Sequence, residues 1–212
     1  MLYSKKEVNT VPLIKSEKDT QRDIETYNNL RQKFIDNGYK ETAYIMNGFS
    51  SNSKAVLYVF PIAIMYLMTS VYFKGAFFEG SFINFIIVIL LLMISTPIHE
   101  YLHGLGWAIF CKDKFKSISI NLSFGFRDDY CHCREELSSM QYIFGTILPF
   151  IVLSIVPLFI SIFIPSNTLF LFAFSSLFSC SADIYNIIKA LKHRQGTVLD
   201  YPTDTGFVIF EK

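Results

Sequence analysis

The chain has 212 residues, of which 51% are hydrophobic and 22 are phenylalanine, and its mean hydropathy is +0.35. This apolar content is higher than that of ordinary soluble domains and indicates a membrane protein in contact with a lipid bilayer. The net charge is only +1 and no basic stripe interleaved with aromatic residues is present, so we expect no nucleic acid as a partner.

The first segment, residues 1–54, is polar and mixed in charge. It has no short apolar stretch behind a basic start, so we expect no cleavable signal peptide. Ser16 to Asn37 is predicted to form an amphipathic helix with a cap at Ser16. Its apolar residues recur at helical spacing at Ile24, Tyr27, Leu30 and Phe34. Such a stripe fits a helix on the membrane surface or, more commonly, an ordinary packing helix.

Four apolar segments follow within residues 55–191, each close to the ~20 residues that cross a bilayer as a helix. They cover residues 55–73, 82–110, 142–164 and 169–191. Pro165 to Thr168 separates the last two with residues that favour a turn, which predicts a transmembrane hairpin. The expected fold class is therefore an all-α membrane protein with about four transmembrane helices.

The charges of the connecting segments predict the orientation. Nine Lys and Arg residues lie in 1–54 and five in 112–136, whereas the two opposite loops contain only Lys74. Because cytoplasmic loops keep the excess of positive charge, we expect both termini in the cytoplasm. Residues 115–134 alternate in polarity and predict a small cytoplasmic β-hairpin, and "TGFVIF" in the tail, residues 192–212, predicts a further strand. In that compartment the four cysteines should stay reduced, without a disulfide framework.

The second apolar segment ends in "HEYLHGLGW", which contains the pattern H-E-x-x-H. On a helix His99 and His103 lie about 40° apart around the axis and ~6 Å along it, so both imidazoles can hold one metal ion. Glu100 can then act as the general base toward water, as in zinc peptidases. Ionisable groups inside a membrane are costly, and we therefore expect them to be functional. The alternative is that the helix leaves the membrane early and these residues are solvated.

A catalytic zinc has three protein ligands, so a third ligand is needed. Asp183 is the only acidic residue of the last apolar segment. His103 precedes Lys112 by nine residues and Asp183 precedes Lys189 by six, which at ~1.5 Å per residue gives depths that agree within about 5 Å. An ion pair of Asp183 with Lys189 is the alternative. His132 and Asp200 are weaker candidates for the third ligand because both lie in soluble segments.

Three further features have a functional and a structural interpretation. Asn186 shares the helix face of Asp183 and could orient a ligand or a substrate carbonyl, or simply pack. Cys131, His132 and Cys133 would put two thiols on one side of a strand, but their spacing is unusual for a second zinc site. Pro97 predicts a kink one turn before the motif that would open room for water.

These motifs resemble a known family. "HEYLHGLGW" in a transmembrane helix, a cytoplasmic hairpin, "LSSMQYIFGTILPF" and "SADIYN" are similar to the bacterial family of "putative zincin peptidases", which is in turn similar to the site-2 proteases, intramembrane zinc enzymes. The likeness covers about residues 52–210, without the Leu-Asp-Gly motif and the inserted PDZ-like domain of the site-2 proteases. The resemblance implies Zn²⁺ as cofactor, His99, His103 and Asp183 as its ligands, and Glu100 as the catalytic base.

The sequence thus predicts three parts: a cytoplasmic segment (1–54), a transmembrane zinc peptidase domain (55–191) and a cytoplasmic tail (192–212). We expect an integral multi-pass protein of the bacterial cell membrane. It would act as a metalloendopeptidase on a membrane protein or peptide substrate. "SISINLSF" could pair with an extended substrate segment. The alternative function is a non-catalytic metal-binding membrane protein, such as an immunity or transporter-accessory factor.

Overall fold

The computed structural model describes residues 17–46, 49–74, 81–121, 130–164 and 166–212. The predicted cap at Ser16, the turn residue Pro165 and the middle of the predicted hairpin, residues 122–129, lie outside these ranges. Helices predominate in the described part, and its strands form two small antiparallel sheets.

Two helices are long and apolar enough to cross a membrane, and they agree with the second and third predicted segments. The first is α3 (Phe82–Ala108). The second runs from Ser139 to Phe163 through α4 (Ser139–Pro149), a π-helical stretch (Phe150–Ile155) and α5 (Val156–Phe163). Pro97 lies inside α3, which continues past it to Ala108.

The first and fourth predicted segments differ from straight, full-length spans. The first lies within α2 (Phe49–Lys74), whose apolar part, Lys54–Thr69, is shorter than a full span. The fourth is divided into α6 (Asn167–Ser179) and α7 (Ser181–Ala190), and the chain bends by 49° at this break. The described residues therefore contain two helices able to span a membrane, or three if the bent pair counts as one.

The two halves of α3 differ in their surroundings. The first half presents large apolar side chains on the protein surface, including Phe82, Ile83, Phe85 and Leu90. Water would oppose a continuous apolar surface of this size, whereas lipid would not, so the half is typical of a membrane-facing helix. The second half buries His103, Gly106 and Trp107 in the protein interior. The H-E-x-x-H motif thus lies where the helix enters the packed part of the molecule.

A four-stranded antiparallel sheet joins the two ends of the chain. It contains β1 (Lys40–Ile45), β4 (Leu137–Ser138), β5 (Thr197–Asp200) and β6 (Gly206–Glu211), in the order β1-β6-β5-β4. The predicted strand "TGFVIF" forms β6, in register with β1 through Lys40 opposite Glu211. The other three strands, β1, β4 and β5, were not predicted; β4 and β5 have only two and four residues.

The second sheet agrees with the predicted hairpin. It consists of β2 (Ile118–Asn121) and β3 (Tyr130–Cys133), paired antiparallel with Ile120 opposite Cys131. Both strands pack on the second half of α3, where a Cβ atom at Gly104 would lie only 3.0 Å from Ile118 and 3.2 Å from Cys131. The missing side chain at Gly104 therefore lets the hairpin approach the helix that carries the motif.

The predicted amphipathic helix is α1 (Glu17–Asp36), and its apolar stripe packs on the four-stranded sheet. Phe34 stacks on Phe210 with ring centroids 4.7 Å apart, and Tyr27 contacts Tyr201 edge to face. A buried ion pair of 2.5 Å between Asp23 and Arg134 joins α1 to the chain that follows β3. Of the two interpretations of this stripe, the packing helix is the one observed.

Candidate active site

The two histidines of the motif and Asp183 converge although they belong to helices far apart in sequence. The Nε2 atoms of His99 and His103 on α3 lie 3.1 Å apart. Asp183, in the first turn of α7, places Oδ2 3.1 Å from His99 Nε2 and Oδ1 3.3 Å from His103 Nε2. With one ligand atom taken from each residue, all three lie within 4.8 Å of one another, the one such group of three found in the described ranges. The three residues that the depth argument grouped from sequence therefore lie together in the structure.

The outer nitrogens of both histidines have partners that orient the rings. His103 Nδ1 lies 3.1 Å from the carbonyl oxygen of Gly145, which can only accept, so Nδ1 carries the proton. His99 Nδ1 lies 3.9 Å from the buried sulfur of Cys180. A donated outer N–H leaves the Nε2 lone pair free, which is the arrangement that metal-binding histidines adopt.

This set of donors fits a zinc ion. In a tetrahedral site with Zn–N bonds of about 2.0–2.1 Å, neighbouring ligand atoms lie about 3.4 Å apart, close to the 3.1 Å between the two imidazole nitrogens. Asp183 Oδ2 is buried and has no hydrogen-bond partner among the described residues. Two imidazole nitrogens and a buried carboxylate that point at one place fit a bound cation, which offsets the repulsion between the nitrogen lone pairs and the negative charge as protonation of an imidazole also would.

Close contact between α3 and α4 holds His103 against its carbonyl partner. A Cβ atom at Gly106 would lie 2.5 Å from the Gly145 Cα, and one at Gly145 would lie 2.1 Å from the Trp107 ring. Trp107 stacks on His103 with ring centroids 5.3 Å apart and donates from Nε1 to the carbonyl of Tyr142 at 3.0 Å. The two glycines therefore set the distance at which the Gly145 carbonyl reaches the imidazole.

Glu100 and the three candidate ligands line one large cavity of about 870 Å³. The backbone of Cys131 in β3 hydrogen-bonds the Glu100 carboxylate. The turn between β5 and β6, residues 201–205, forms another wall of the cavity, and α1 contributes Thr20. The cavity is thus enclosed both by membrane-type helices and by the two sheets.

A smaller cavity of about 170 Å³ adjoins His99 and Glu100. Most of its other lining residues carry hydroxyl groups: Ser95, Thr96, Ser176 and Ser179. Ser176 Oγ is buried and has no hydrogen-bond partner among the described residues. A water molecule occupies about 30 Å³ in the liquid, so this polar space can hold several beside the motif.

The weaker candidates for the third ligand, His132 and Asp200, do not belong to the group formed by His99, His103 and Asp183. His132 Nδ1 contacts Asp200 Oδ2 at 3.0 Å, and the same oxygen accepts the backbone N–H of Cys133 at 3.1 Å. This buried group ties β3 to the end of β5. Asp200 lines the large cavity but does not belong to the ligand group. Asp183 does not pair with Lys189, whose ammonium lies over the rings of Tyr44 and Tyr185.

The two thiols of the Cys131-His132-Cys133 segment have different neighbours. Cys131 lines the large cavity, whereas the sulfur of Cys133 lies 3.4 Å from that of Cys111 at the end of α3. Burial, followed by the nearby carboxylates of Glu100 and Asp200, raises the pKa of the Cys131 thiol well above its usual value. Cys131 therefore stays protonated at neutral pH, and no second metal-binding group forms here among the described residues.

Sequence reasoning missed three parts of the site. The Gly145 carbonyl and the Cys180 sulfur orient the histidines, and the turn at residues 201–205 closes the cavity. Gly106 and Gly145 each lie in an apolar segment, and such glycines could have predicted a close contact between the two helices. No sequence signal was available for the turn, because it reaches the site only through the pairing of β5 with β6.

Two histidines one helical turn apart, an adjacent glutamate in the same cavity and an acid from a second helix define a zincin-type metallopeptidase site. The family described as "Putative zincin peptidase" matches residues 92–198, about half of the chain. The chain therefore belongs to this family. The matched region includes the motif and Asp183 together. No curated protein and no solved structure matches the chain.

Proposed function

We propose that this protein is a membrane-embedded zinc metalloendopeptidase that cleaves membrane or juxtamembrane proteins. The observation that carries the proposal is the convergence of His99, His103 and Asp183 in the cavity that Glu100 also lines. A site that only held a metal for structural reasons would need neither a free carboxylate beside it nor a cavity of this size. His99, His103 and Asp183 would be the zinc ligands.

Glu100 would act as the general base. A zinc ion in the site would supply Lewis-acid chemistry, polarising the peptide carbonyl and lowering the pKa of water. Glu100 takes one proton from the attacking water while the new C–O bond forms. It then gives that proton to the amide nitrogen as the C–N bond breaks. The second water proton passes from the new carboxyl group to the amine, so that a carboxylate and an ammonium group leave the site. The hydrogen bond from the backbone of Cys131 holds the Glu100 carboxylate in place.

We propose a four-span arrangement with both termini in the cytoplasm of a bacterial cell. The exposed apolar side chains of α2, among them Leu57, Phe60 and Met65, support a membrane position for that helix in addition to α3. The positive charges of residues 1–54 and 112–136 support the orientation. Because both sheets line the cavity, this orientation would open the site toward the cytoplasm, where a substrate segment near the membrane can enter unwound.

The strand β2 would help to bind an extended substrate. It pairs with β3, and its last residue, Asn121, lines the cavity. A strand next to a site can pair with a peptide backbone. A proline in β2 should therefore lower cleavage while zinc content stays unchanged, and unchanged cleavage would contradict this binding mode.

The test of the proposed activity is Glu100→Gln in the purified, zinc-loaded protein. We expect zinc content, measured by mass spectrometry, to equal that of the wild type. Cleavage of a mixed-sequence quenched fluorescent peptide library should fall at least about 100-fold, since a general base contributes roughly 10²–10⁴-fold to the rate.

Glu136→Gln is the matched control, because Glu136 is exposed and does not line the cavity. It should cleave the library as the wild type does. If Glu100→Gln retains both zinc and full cleavage, the proposal is wrong. If the wild type binds zinc and cleaves nothing, the alternative of a non-catalytic metal-binding membrane protein is favoured.

A further inference from the structure

The large cavity is rich in negative charge. Four carboxylates line it, those of Glu100, Asp183, Asp200 and Asp204, and no Lys or Arg is among the described residues that do so. A divalent zinc ion would balance the first two charges. Asp200 and Asp204 would remain, at the end of β5 and in the turn that follows it. The wall formed by the end of β5 and the following turn is therefore anionic even when the metal is bound.

Asn186 adds an independent sign of a ligand. Its side chain lines the same cavity and is 3% exposed, and its Oδ1 has no hydrogen-bond partner among the described residues. A buried acceptor without a donor is destabilising, and a ligand with N–H groups would supply the missing donor. Both the charges and this acceptor thus call for a ligand that is cationic and rich in donors.

The two aspartates differ in how firmly they are held. Asp200 is 8% exposed and is fixed by His132 and the backbone N–H of Cys133. Asp204 is exposed at the rim, where Thr203 Oγ1 donates to it at 3.1 Å. A cationic side chain entering the cavity would meet Asp204 first. The aromatic ring of Tyr201, between the two aspartates in sequence, also lines the cavity and can pack against such a side chain.

We propose that this cavity selects polypeptide segments with a Lys or Arg side chain close to the bond that is cleaved. The proposal rests on the proposed peptidase function, whose site it extends from the metal to the β5–β6 turn. Asp204 and Asp200 are then the specificity-determining residues, and Asn186 accepts a hydrogen bond from the same segment.

Binding can be measured apart from cleavage by using zinc-loaded Glu100→Gln protein in an uncharged detergent. The probes are three fluorescein-labelled decapeptides of Ala, Ser and Gly that differ only in a central Lys, Gln or Glu. We expect the Lys peptide to bind about threefold to fivefold more tightly than the Gln peptide, the range of an ion pair near a surface, and the Glu peptide to bind most weakly. Fluorescence anisotropy gives the three dissociation constants.

Variants at the rim test the assignment. Adding Asp204→Asn should reduce the preference for Lys, and Asp204→Lys should invert it in favour of the Glu peptide. Asp36→Asn, an exposed carboxylate at the end of α1 outside the cavity, is the control and should change nothing. Asp204 is chosen for substitution because it is exposed, whereas replacing the buried and hydrogen-bonded Asp200 would also disturb the fold.

Equal binding of the Lys and Glu peptides, no binding of the Lys peptide, or a preference that Asp204→Lys leaves unchanged would each overturn the proposal. Cleavage by the wild-type protein is a separate readout. Peptides bound with the expected preference but left intact would contradict the peptidase function and keep the cationic binding site. Cleavage of all three peptides at the same rate would support the peptidase function and contradict the proposed selection of a cationic side chain.

Discussion

At the scale of single residues, the most informative position is Asp183. It is 8% exposed, and its contacts in the described structure are the two histidines of the motif. A buried carboxylate in apolar surroundings is costly unless a cation or a proton accompanies it. Its position in the first turn of α7 is favourable, because the helix dipole places partial positive charge there.

We expect Asp183→Ala to lower zinc affinity by more than about 100-fold, since even outer partners of metal ligands contribute roughly 10–100-fold. The measurement is competition for zinc against a chelator of known affinity. Asp204→Asn is the matched control, because Asp204 is exposed and lines the same cavity without joining the ligand group. Equal zinc loss in the two variants would mean that the third ligand is not Asp183.

Glu135, outside the membrane-type helices, supports a prediction on pH. Partial burial raises its pKa, but hydrogen bonds from the Ser117 hydroxyl and the backbone N–H groups of Lys112 and Asp113 outweigh burial and lower it. A pKa lower in the folded than in the unfolded state stabilises the fold above the ordinary value of ~4.3, and this contribution disappears as pH falls through the lower folded pKa.

Glu135→Gln should therefore lower thermal stability at neutral pH and have little effect at the acid end of the range. Unfolding temperatures from pH 7 downward, measured for wild type and variant, should converge as the pH falls. Glu136→Gln, one residue further along and exposed, should follow the wild type throughout. A difference between Glu135→Gln and wild type that is the same at every pH would show that the carboxylate charge is not the cause.

At the scale of elements, the contact between α3 and α4 determines whether the motif can function. Gly145→Ala would bring a Cβ atom to 2.1 Å from the Trp107 ring, which stacks on His103. Overpacking of this kind costs typically about 1–3 kcal/mol. We expect that loss of stability, measured by denaturation in detergent, together with weaker zinc binding because the Gly145 carbonyl moves away from the imidazole.

Gly104→Ala provides a graded comparison on the same helix. Its Cβ would meet the ends of Ile118, Ile120 and Cys131 at 3.0–3.2 Å, and side chains can shift more readily than a stacked indole. The loss of stability should therefore be smaller than for Gly145→Ala, and zinc affinity should be closer to wild type. The opposite order would show that the hairpin, rather than the contact of α3 with α4, holds the motif.

At the scale of the whole molecule, the ends of the chain are tied to the site. The sheet β1-β6-β5-β4 joins the first and last segments, and its β5–β6 turn lines the cavity. The ion pair of Asp23 with Arg134 connects α1 to the chain after β3. The parts of the chain outside the apolar helices therefore form walls of the site.

Arg134→Ala should destabilise the protein by roughly 1.5–3 kcal/mol, because Asp23 is fully buried and would lose the charged hydrogen bond from its arginine partner. Arg31→Ala removes a comparable contact to Glu41, at 2.8 Å, from a largely exposed surface and should cost at most about 1 kcal/mol. Unfolding curves of the two variants in the same detergent provide the comparison. Equal effects would show that the position of α1 does not depend on the buried pair.

The sequence by itself determined two helices long and apolar enough to cross a membrane, the pairing of β2 with β3 and the three residues that converge on one point. Each of these follows from local physics: helical length against bilayer thickness, alternation along a strand, and a fixed rise per residue that sets depth in the membrane. The H-E-x-x-H spacing likewise acts within a single helical turn. Such features do not depend on contacts with segments that are distant in the sequence.

Only the tertiary structure decided what surrounds these residues. The bend before α7, the carbonyl that orients His103 and the anionic wall at Asp204 depend on contacts between segments far apart in sequence. Lys40 pairs opposite Glu211, so β1, which was not predicted from sequence, is stabilised by its pairing with β6. The apolar stripe of α1 was compatible with contact to either lipid or protein from its sequence. In the structure it packs on one face of that sheet.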